Sequence, residues 1–383
     1  MTMISDLSQD LLDDIFSRIP LTSLRVIRST CKRWNDLSKD RILCKAEANQ
    51  LFIGFILKEF KVFSAKFNVH DIFNEDGKKL VNPSIKEMSH LFNQVEVREI
   101  IHCDGLLLCV IRDYTSLVVW NPYLGQIKWI EPVNAYKKFD MYAFGHDNNK
   151  NRNHKILRIY DDDSAKKSLD YQIYDFKSNS WRVIDATPHN PVWHYSQHSA
   201  SLKGNTYFLC VEFKMGWVVD DFLICFDFTS ERFGQHIPLP SHYCSAYYMS
   251  LSSVREEHLT VLYDRWHESK VEIWVTTKIE PNAVSWSCFS TVDVSDLIFK
   301  GLSSSLFIDQ EKKSTIVIYK NICRNMFTSD CITVYIIGEG GYSKKVNLGR
   351  AMNVGDMSYA RTLVCSYVPS LVEINQGQVS LPL

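Results

Sequence analysis

The chain has 383 residues, of which 45% are hydrophobic and 23% charged, values typical of globular proteins and not of disordered ones. This length exceeds what one hydrophobic core ordinarily organises, so two domains are expected. The formal net charge is −1, from 43 basic and 44 acidic residues. The absence of a basic excess argues against nucleic acid or an anionic membrane as the main partner.

The first predicted elements are three short helices within residues 1–48, which we interpret as one small helical domain. Ser8 suits a helix N-cap, and the apolar residues that follow recur at helical spacing until Pro20 ends the helix. A second helix begins after Thr22 or Ser23, and a third has apolar residues spaced by three. The apolar positions of the three helices are Leu7, Leu11, Leu12, Ile15, Leu24, Val26, Cys31, Trp34 and Leu37.

These apolar side chains are more than a three-helix cluster of about forty residues can bury. A surplus apolar face on a soluble domain is typical of a partner-binding site. The alternative is that the helices pack on the following domain.

Residues 49–383 have a different pattern, in which short apolar runs alternate with clusters of Asn, Asp, Gly, Ser and Pro. Such a pattern predicts strands joined by turns. Residues 86–97 are the one candidate for a longer helix. The second domain is therefore predicted to be mostly β.

The predicted strands repeat along the chain. Five similar runs have centres about 50 to 56 residues apart, at Leu107, Leu157, Phe208, Val261 and Val317. Each run is followed by a second strand, and often by a third that carries an aromatic residue. A period near fifty residues is typical of propeller blades, which bury the faces of small sheets against one another.

We therefore predict a propeller-like array of about six small antiparallel sheets. Five units are visible, and the sixth is expected to combine residues 52–63 with residues 363–368 from the other end of the domain. This pairing would close the array. An irregular barrel or a sandwich is the alternative.

The aromatic residues fall into two groups. Five tryptophans follow the repeat and are predicted to be core: Trp120, Trp129, Trp181, Trp274 and Trp286. Aromatic residues outside the repeat are better candidates for binding, because aromatics dominate interface hot spots. The candidates for target binding are Trp193, Tyr195, Trp217 and Trp266.

Metal, cofactor and catalytic sites are not predicted. His189, His194 and His198 lie close together, but Pro188 and Pro191 make the segment a loop, whereas zinc sites need aimed ligands and a fourth donor. The glycine-rich run at 338–341 lacks the lysine-serine pair and the helix of a phosphate-binding loop. A propeller enzyme is kept as an alternative to a binding protein.

The compartment is predicted to be the cytoplasm, the nucleus or both. The 11 cysteines include no C-x-x-C pair and most lie in apolar runs, as expected of free thiols in a reducing compartment. The N-terminal residues do not form a secretory signal, and no run of eighteen apolar residues is present.

Residues 4–48 resemble an F-box. The resemblance rests on Leu7, on the Asp10-Leu11-Leu12 and Arg18-Ile19-Pro20 segments, and on the run from Cys31 to Trp34. Ser8 stands where the family usually has proline. An F-box implies binding of a Skp-type adaptor and, through it, a cullin. The predicted adaptor-binding residues are Leu7, Leu11, Leu12, Ile15, Pro20, Leu24, Val26, Cys31, Lys32, Trp34 and Leu37.

The second domain resembles the F-box-associated domain of plant F-box proteins. The matching segments are residues 103–109, 119–122, 125–130, 144–147, 174–182 and 201–207. The two resemblances together imply a substrate-recognition subunit of a Skp-cullin-F-box ubiquitin ligase that binds an unknown target protein and has no catalysis of its own. The alternative is a non-catalytic sugar- or peptide-binding propeller without a ligase role.

Overall fold

The computed structural model describes residues 51–374, except for short gaps in this range. The predicted helical domain and every predicted adaptor-binding residue lie outside the described residues. The gaps are residue 59 and residues 69–83, 89–94, 135, 138–139, 150–151, 161–168, 187–191, 194–198, 215–216, 241–247, 255–256, 266–267, 281–282, 294–303, 310–313, 322–330, 338–342 and 351–363.

The described residues form 25 strands and no helix. The strands are β1 (Leu51–Lys58), β2 (Lys61–Asn68), β3 (Ser84–Glu87), β4 (Val97–Cys103), β5 (Leu106–Ile111), β6 (Leu117–Asn121), β7 (Gln126–Ile130), β8 (Met141–His146), β9 (His154–Tyr160), β10 (Asp170–Asp175), β11 (Ser180–Ile184), β12 (Val192–Trp193), β13 (Ser199–Leu202), β14 (Asn205–Lys214), β15 (Trp217–Asp227), β16 (Arg232–Pro238), β17 (Tyr248–Val254), β18 (His258–Arg265), β19 (Lys270–Glu280), β20 (Ala283–Asp293), β21 (Ser304–Asp309), β22 (Ser314–Asn321), β23 (Cys331–Ile337), β24 (Ser343–Arg350) and β25 (Val364–Ser366).

In the described part of the chain these strands form six antiparallel sheets. We number them as blade 1 (β25, β1, β2, β3), blade 2 (β4–β7), blade 3 (β8–β11), blade 4 (β12–β16), blade 5 (β17–β20) and blade 6 (β21–β24). The first strands of neighbouring blades contact one another in the order β25, β4, β8, β13, β17, β21 and back to β25. This arrangement is a β-propeller with the first strand of each blade innermost, which confirms the prediction of a mostly β, propeller-like domain.

Blade 1 is built from both ends of the described chain. β25 pairs with β1 in an antiparallel register that places Gly54 opposite Ser366 and Ile56 opposite Val364. A pairing between residues 52–63 and residues 363–368 was predicted from the sequence. The observed pairing of β1 with β25 joins the ends of the propeller through backbone hydrogen bonds.

The two faces of the propeller carry different connections. One face, here the turn face, carries the turns between the first and second and between the third and fourth strands, such as residues 104–105 and 122–125 of blade 2. The opposite, crossover face carries the remaining connections. β1 runs antiparallel to β25, so Leu51 begins on the turn face.

Two details differ from the sequence predictions. The strands that showed the period are the second, third and fourth strands of the blades, and the innermost strands were not identified because they are short or carry polar residues, as in β13 (SASL). The prediction of a helix at residues 86–97 is wrong at both ends of that segment, because Lys86 belongs to β3 and Val97 begins β4. β3 completes blade 1 by pairing with β2.

The core lies between the blades. In β5, Leu106, Leu108 and Val110 pack in a cluster with Phe144 and Ile156 of blade 3. The alternating residues of β5, which are Leu107, Cys109 and Ile111, pack with Phe55 and Leu57 of blade 1. A strand that is buried on both faces needs an uninterrupted apolar run, which explains the sequence of β5.

The repeated tryptophans are core residues, as predicted. Trp120 is buried, and Trp129, Trp181, Trp274 and Trp286 pack on the edges of the core clusters. Two of them also join blades. The indole of Trp181 donates to the carbonyl of Glu131 at 3.1 Å, and that of Trp286 donates to the carbonyl of Pro238 at 3.0 Å. In each case the outer strand is tied to the end of the preceding blade.

Asp264, near the end of β18, is a buried carboxyl for which the structure shows no hydrogen-bond partner at either oxygen. Burial raises the pKa of Asp264 to about 7. The folded chain therefore holds this proton more tightly than the unfolded chain does, so the carboxyl destabilises the fold increasingly as pH rises through the interval between its unfolded and folded pKa values.

Asp264→Asn is expected to stabilise the propeller at pH 8, and the stabilisation should decrease toward pH 5. The amide lacks the charge that burial disfavours. A pKa difference of one unit corresponds to about 1.4 kcal/mol, so the benefit should fall by roughly 2–3 kcal/mol between the two pH values. Urea unfolding at pH 5, 6.5 and 8 measures it. Asp185→Asn, at an exposed position, is the control, and an equal benefit at all three pH values would contradict the assignment.

Candidate functional site

The C-terminal strap, residues 367–374, crosses the turn face from blade 1 to blade 2. The buried Asn121 holds it, because its side-chain amide donates to the carbonyls of Ser370 at 3.1 Å and Val372 at 2.7 Å. The amide of Ile374 donates to Oε1 of Gln126 at 2.8 Å. Oδ1 of Asn121 also accepts from Tyr123 and Leu124, so a single side chain organises both the turn and the strap.

Gly105 is required where the strap approaches the β4–β5 turn. Its φ is +70°, a region that favours glycine. A Cβ atom at this position would lie 2.2 Å from Cβ of Ser370 and 2.7 Å from the carbonyl oxygen of Val368. The glycine in the segment CDGLLLC therefore allows the end of the chain to pack on blade 2.

Two cavities open on the turn face next to the strap. The larger, with a volume of about 810 Å³, lies between residues 372–374 of the strap, residues 147, 149 and 152–154 of blade 3 and the turn at Phe176. The smaller, about 300 Å³, lies between the β4–β5 turn, the β13–β14 turn and the same segment of blade 3. Asn149 and Arg152 line both cavities.

Hydrogen bonds order the described part of the blade 3 loop, residues 147–149 and 152–153. Asp147 accepts from the backbone of Asn153 at 2.9 Å and from the side chain of Asn149 at 3.0 Å. Burial by itself would raise the pKa of Asp147, but these hydrogen bonds and the charge of Lys155 lower it. Asn153 in turn donates to Asp175 at 2.9 Å. The loop is thus fixed to the third strand of its own blade.

A group of polar residues lies where the two cavities meet. Nε2 of His154 is 3.7 Å from Oδ2 of Asp104, and Nη1 of Arg152 is 3.5 Å from the same carboxylate. Nε2 of His154 is buried and has no hydrogen-bond partner in the structure. Burial, followed by the neighbouring His146, lowers the pKa of His154 to about 4, against the opposing effect of Asp104. His154 is therefore neutral at physiological pH.

The floor of the larger cavity is apolar. Leu106 and Ile374 are buried in the core cluster between blades 2 and 3, and Phe176 packs against that cluster. The ring of Phe176 lies 6.4 Å from that of His154. The arrangement combines an apolar floor with one neutral imidazole, which suits binding rather than acid–base catalysis at neutral pH.

The predicted target-binding residues lie elsewhere. The backbone of Trp193 pairs with Cys210, and that of Trp217 pairs with Lys214, so both lie on blade 4. β14 begins on the turn face at Asn205 and ends near the crossover face at Lys214. Tyr195 and Trp266 lie outside the described residues. Target binding by these four residues therefore stays a prediction.

No binding role was predicted from the sequence for the residues of the turn face. Asp104, Asp147 and Phe176 belong to segments that carried the family resemblance, and these segments fall at the ends of predicted strands. That position was the available signal, because turns at one edge of a propeller converge on one face.

Metal ligands and membrane spans were also considered. Within the ranges that the structure describes, no group of three or more His, Cys, Asp or Glu side chains is arranged to hold a metal ion. No helix among these residues is long and apolar enough to cross a membrane.

Comparison with known proteins matches both parts of the chain. Residues 4–46 match the family model of the F-box domain, and residues 53–374 match that of the F-box associated beta propeller domain. A putative F-box protein of Arabidopsis thaliana is 49% identical, with 98% of this chain and 97% of the relative covered. An F-box/kelch-repeat protein of the same plant is 48% identical, with the same coverage.

Solved structures show a more distant similarity. AztD from Citrobacter koseri aligns with a TM-score of 0.39 and 11% identity, over 79% of this chain and 97% of that one. This similarity is too low to support a conclusion.

Proposed function

The chain belongs to the F-box proteins that carry an F-box associated beta propeller domain, and from this membership we propose that it is a substrate-recognition subunit of a Skp-cullin-F-box ubiquitin ligase. The F-box binds a Skp-type adaptor, and through it a cullin, while the propeller binds the target protein. The observation that carries the proposal is the presence of both family domains in one chain.

In the complete receptor we propose a three-helix F-box over residues 1–48 and a propeller of six blades over residues 49–383. The receptor has no catalysis of its own. It acts by proximity, because joining the adaptor-binding site to the target-binding site raises the effective concentration of target lysines near the ubiquitin-charged enzyme. Its proposed location is the cytoplasm, the nucleus or both.

The topology supports a division of labour between the two faces. The F-box precedes β1, and Leu51 begins on the turn face, so the F-box joins the propeller there. We propose that Trp193, Tyr195, Trp217 and Trp266 contribute to the target contact. Trp193 and Trp217, the two that the structure describes, pair with the half of β14 that ends near the crossover face.

The proposal is tested first at the adaptor contact. Leu11→Asp is expected to weaken capture of a purified Skp-type adaptor by at least about 100-fold, because it places an unpaired charge in an apolar interface. Adaptor affinity of the purified full chain is the measurement.

Leu371→Asp is the matched control for this test. It makes the same change at an exposed leucine of the strap and should leave adaptor affinity unchanged. Normal capture by the Leu11→Asp chain would refute the proposed docking face. A chain without residues 1–45 that still directs ubiquitination of its target would refute the receptor function itself.

A further inference from the structure

We infer that the larger cavity of the turn face binds a tyrosine side chain within an uncharged segment of a target protein. The inference rests on the proposed receptor function, since the segment belongs to the target. It adds a recognition site on the opposite face from Trp193 and Trp217.

The size and the floor of the cavity fit a side chain with its flanking backbone. A volume of about 810 Å³ is larger than one aromatic side chain needs and lies within the range of small-ligand sites. Leu106, Phe176 and Ile374 provide apolar surface for a ring, and Phe176 offers an aromatic partner.

His154 lines the same cavity and provides a polar group beside this apolar surface. A buried polar atom without a partner is unfavourable, so a ligand that supplies one gains affinity. A phenolic hydroxyl both donates and accepts, so it can satisfy Nε2 of His154 in either tautomer of the neutral ring.

Arg152 and Nε2 of His154 approach the same carboxylate. The Arg152 side chain is 62% exposed, and its guanidinium lies 3.5 Å from Asp104, which also lies 3.7 Å from Nε2 of His154. An ion pair of this length with a largely exposed arginine contributes little stability, so moving Arg152 aside to admit a hydroxyl costs little.

The charges around the cavity select against an ionised ligand. Arg152 and Lys177 are matched by Asp147 and Glu373 among the lining residues, so the rim has no net charge. A phosphorylated or sulfated tyrosine would bring two or one negative charges to a neutral rim beside the Asp104 carboxylate. The unmodified tyrosine is therefore the ligand that fits.

The test uses three synthetic probes with the full chain: acetyl-Gly-Tyr-Gly-amide, its phenylalanine counterpart and its phosphotyrosine counterpart. Binding is followed through the imidazole resonances of ¹⁵N-histidine-labelled protein. The tyrosine probe is expected to shift the His154 resonance and to bind about five-fold more tightly than the phenylalanine probe, the difference expected from one hydrogen bond. The phosphotyrosine probe is expected to bind more weakly than either.

Variants then assign the preference to His154. His154→Phe should abolish the difference between the tyrosine and phenylalanine probes, and His236→Phe, the same change at an exposed position of blade 4, should retain it. Equal affinities of the two probes for the unmodified chain would overturn the inference, whether or not the variants fold. A preference that survives in His154→Phe, or tighter binding of phosphotyrosine, would also overturn it. Adaptor capture by the same protein is independent of these results, so failure here would leave the receptor function intact.

Discussion

Truncation after residue 363 is expected to unfold the whole propeller rather than its last segment. The cut removes β25, which supplies the innermost strand of blade 1, and the strap that continues from it. Each blade buries its faces only against its neighbours, so opening the ring exposes the core cluster between blades 1 and 2 and leaves the array without closure. We expect cooperative loss of the strand signal in circular dichroism and rapid proteolysis throughout the domain.

Two other truncations separate the contribution of ring closure to stability from that of the strap. A cut after Ile374 removes only residues 375–383 and serves as the control, because every strap contact described above is retained. A cut after Ser366 keeps β25 but removes the buried Tyr367 and Ile374 and leaves Asn121 without its two carbonyl partners. That chain should fold with a loss of at least about 3 kcal/mol. A well-folded domain after the cut at 363 would refute the closed ring.

The period of the propeller was predictable because buried strands repeat. β5, β9 and β18 are buried along almost their whole length, so each carries a group of apolar residues at a fixed place in its blade. In β5 these residues form a continuous apolar run. The end-to-end pairing of blade 1 was predictable for a related reason. Five complete units left one apolar run at each end of the domain. Pairing these two runs provides hydrogen-bond partners for the backbone edges of both.

The innermost strands and the cavities were not predictable from the sequence. β13 has only four residues, two of them serine, and its strand conformation depends on β14 and on the neighbouring blades. The larger cavity depends on contacts such as that from Asn121 to Val372, which are 251 residues apart in the chain. No local pattern encodes such a contact. Burial is the largest cause of the lowered pKa of His154, and burial also depends on the assembled blades rather than on a local pattern.

Arg158 and Asp140 form a buried ion pair in blade 3, and both side chains are 1% exposed. Nη2 of Arg158 lies 2.6 Å from Oδ2 of Asp140, and Nε donates to the same oxygen at 2.8 Å. The guanidinium carbon lies 4.8 Å from the ring centroid of Tyr136 and 4.6 Å from that of Tyr160. The pair thus joins the connection between blades 2 and 3 to the second strand of blade 3.

Removing either partner is expected to destabilise the propeller by roughly 3–5 kcal/mol, because each single change leaves an uncompensated charge in the interior. The changes are Asp140→Leu and Arg158→Met, and urea unfolding of the propeller measures their effect. The burial of Tyr136 and Tyr142 raises the pKa of both phenols, so neither supplies a negative charge to replace Asp140.

The double variant shows whether the ion pair itself stabilises the propeller or whether each charge is needed only because its partner would otherwise be buried alone. Replacing a buried ion pair by apolar residues of similar volume is often neutral. Asp140→Leu with Arg158→Met is therefore expected to be more stable than either single variant. A loss equal to the sum of the single losses would show that the two charges act independently.

Lys278→Met with Glu280→Leu, at an exposed ion pair of blade 5, is the control and should change stability by less than about 1 kcal/mol. A double variant that is more stable than either single variant would mean that Arg158 and Asp140 specify how the connection between blades 2 and 3 packs, while the apolar clusters supply the stability.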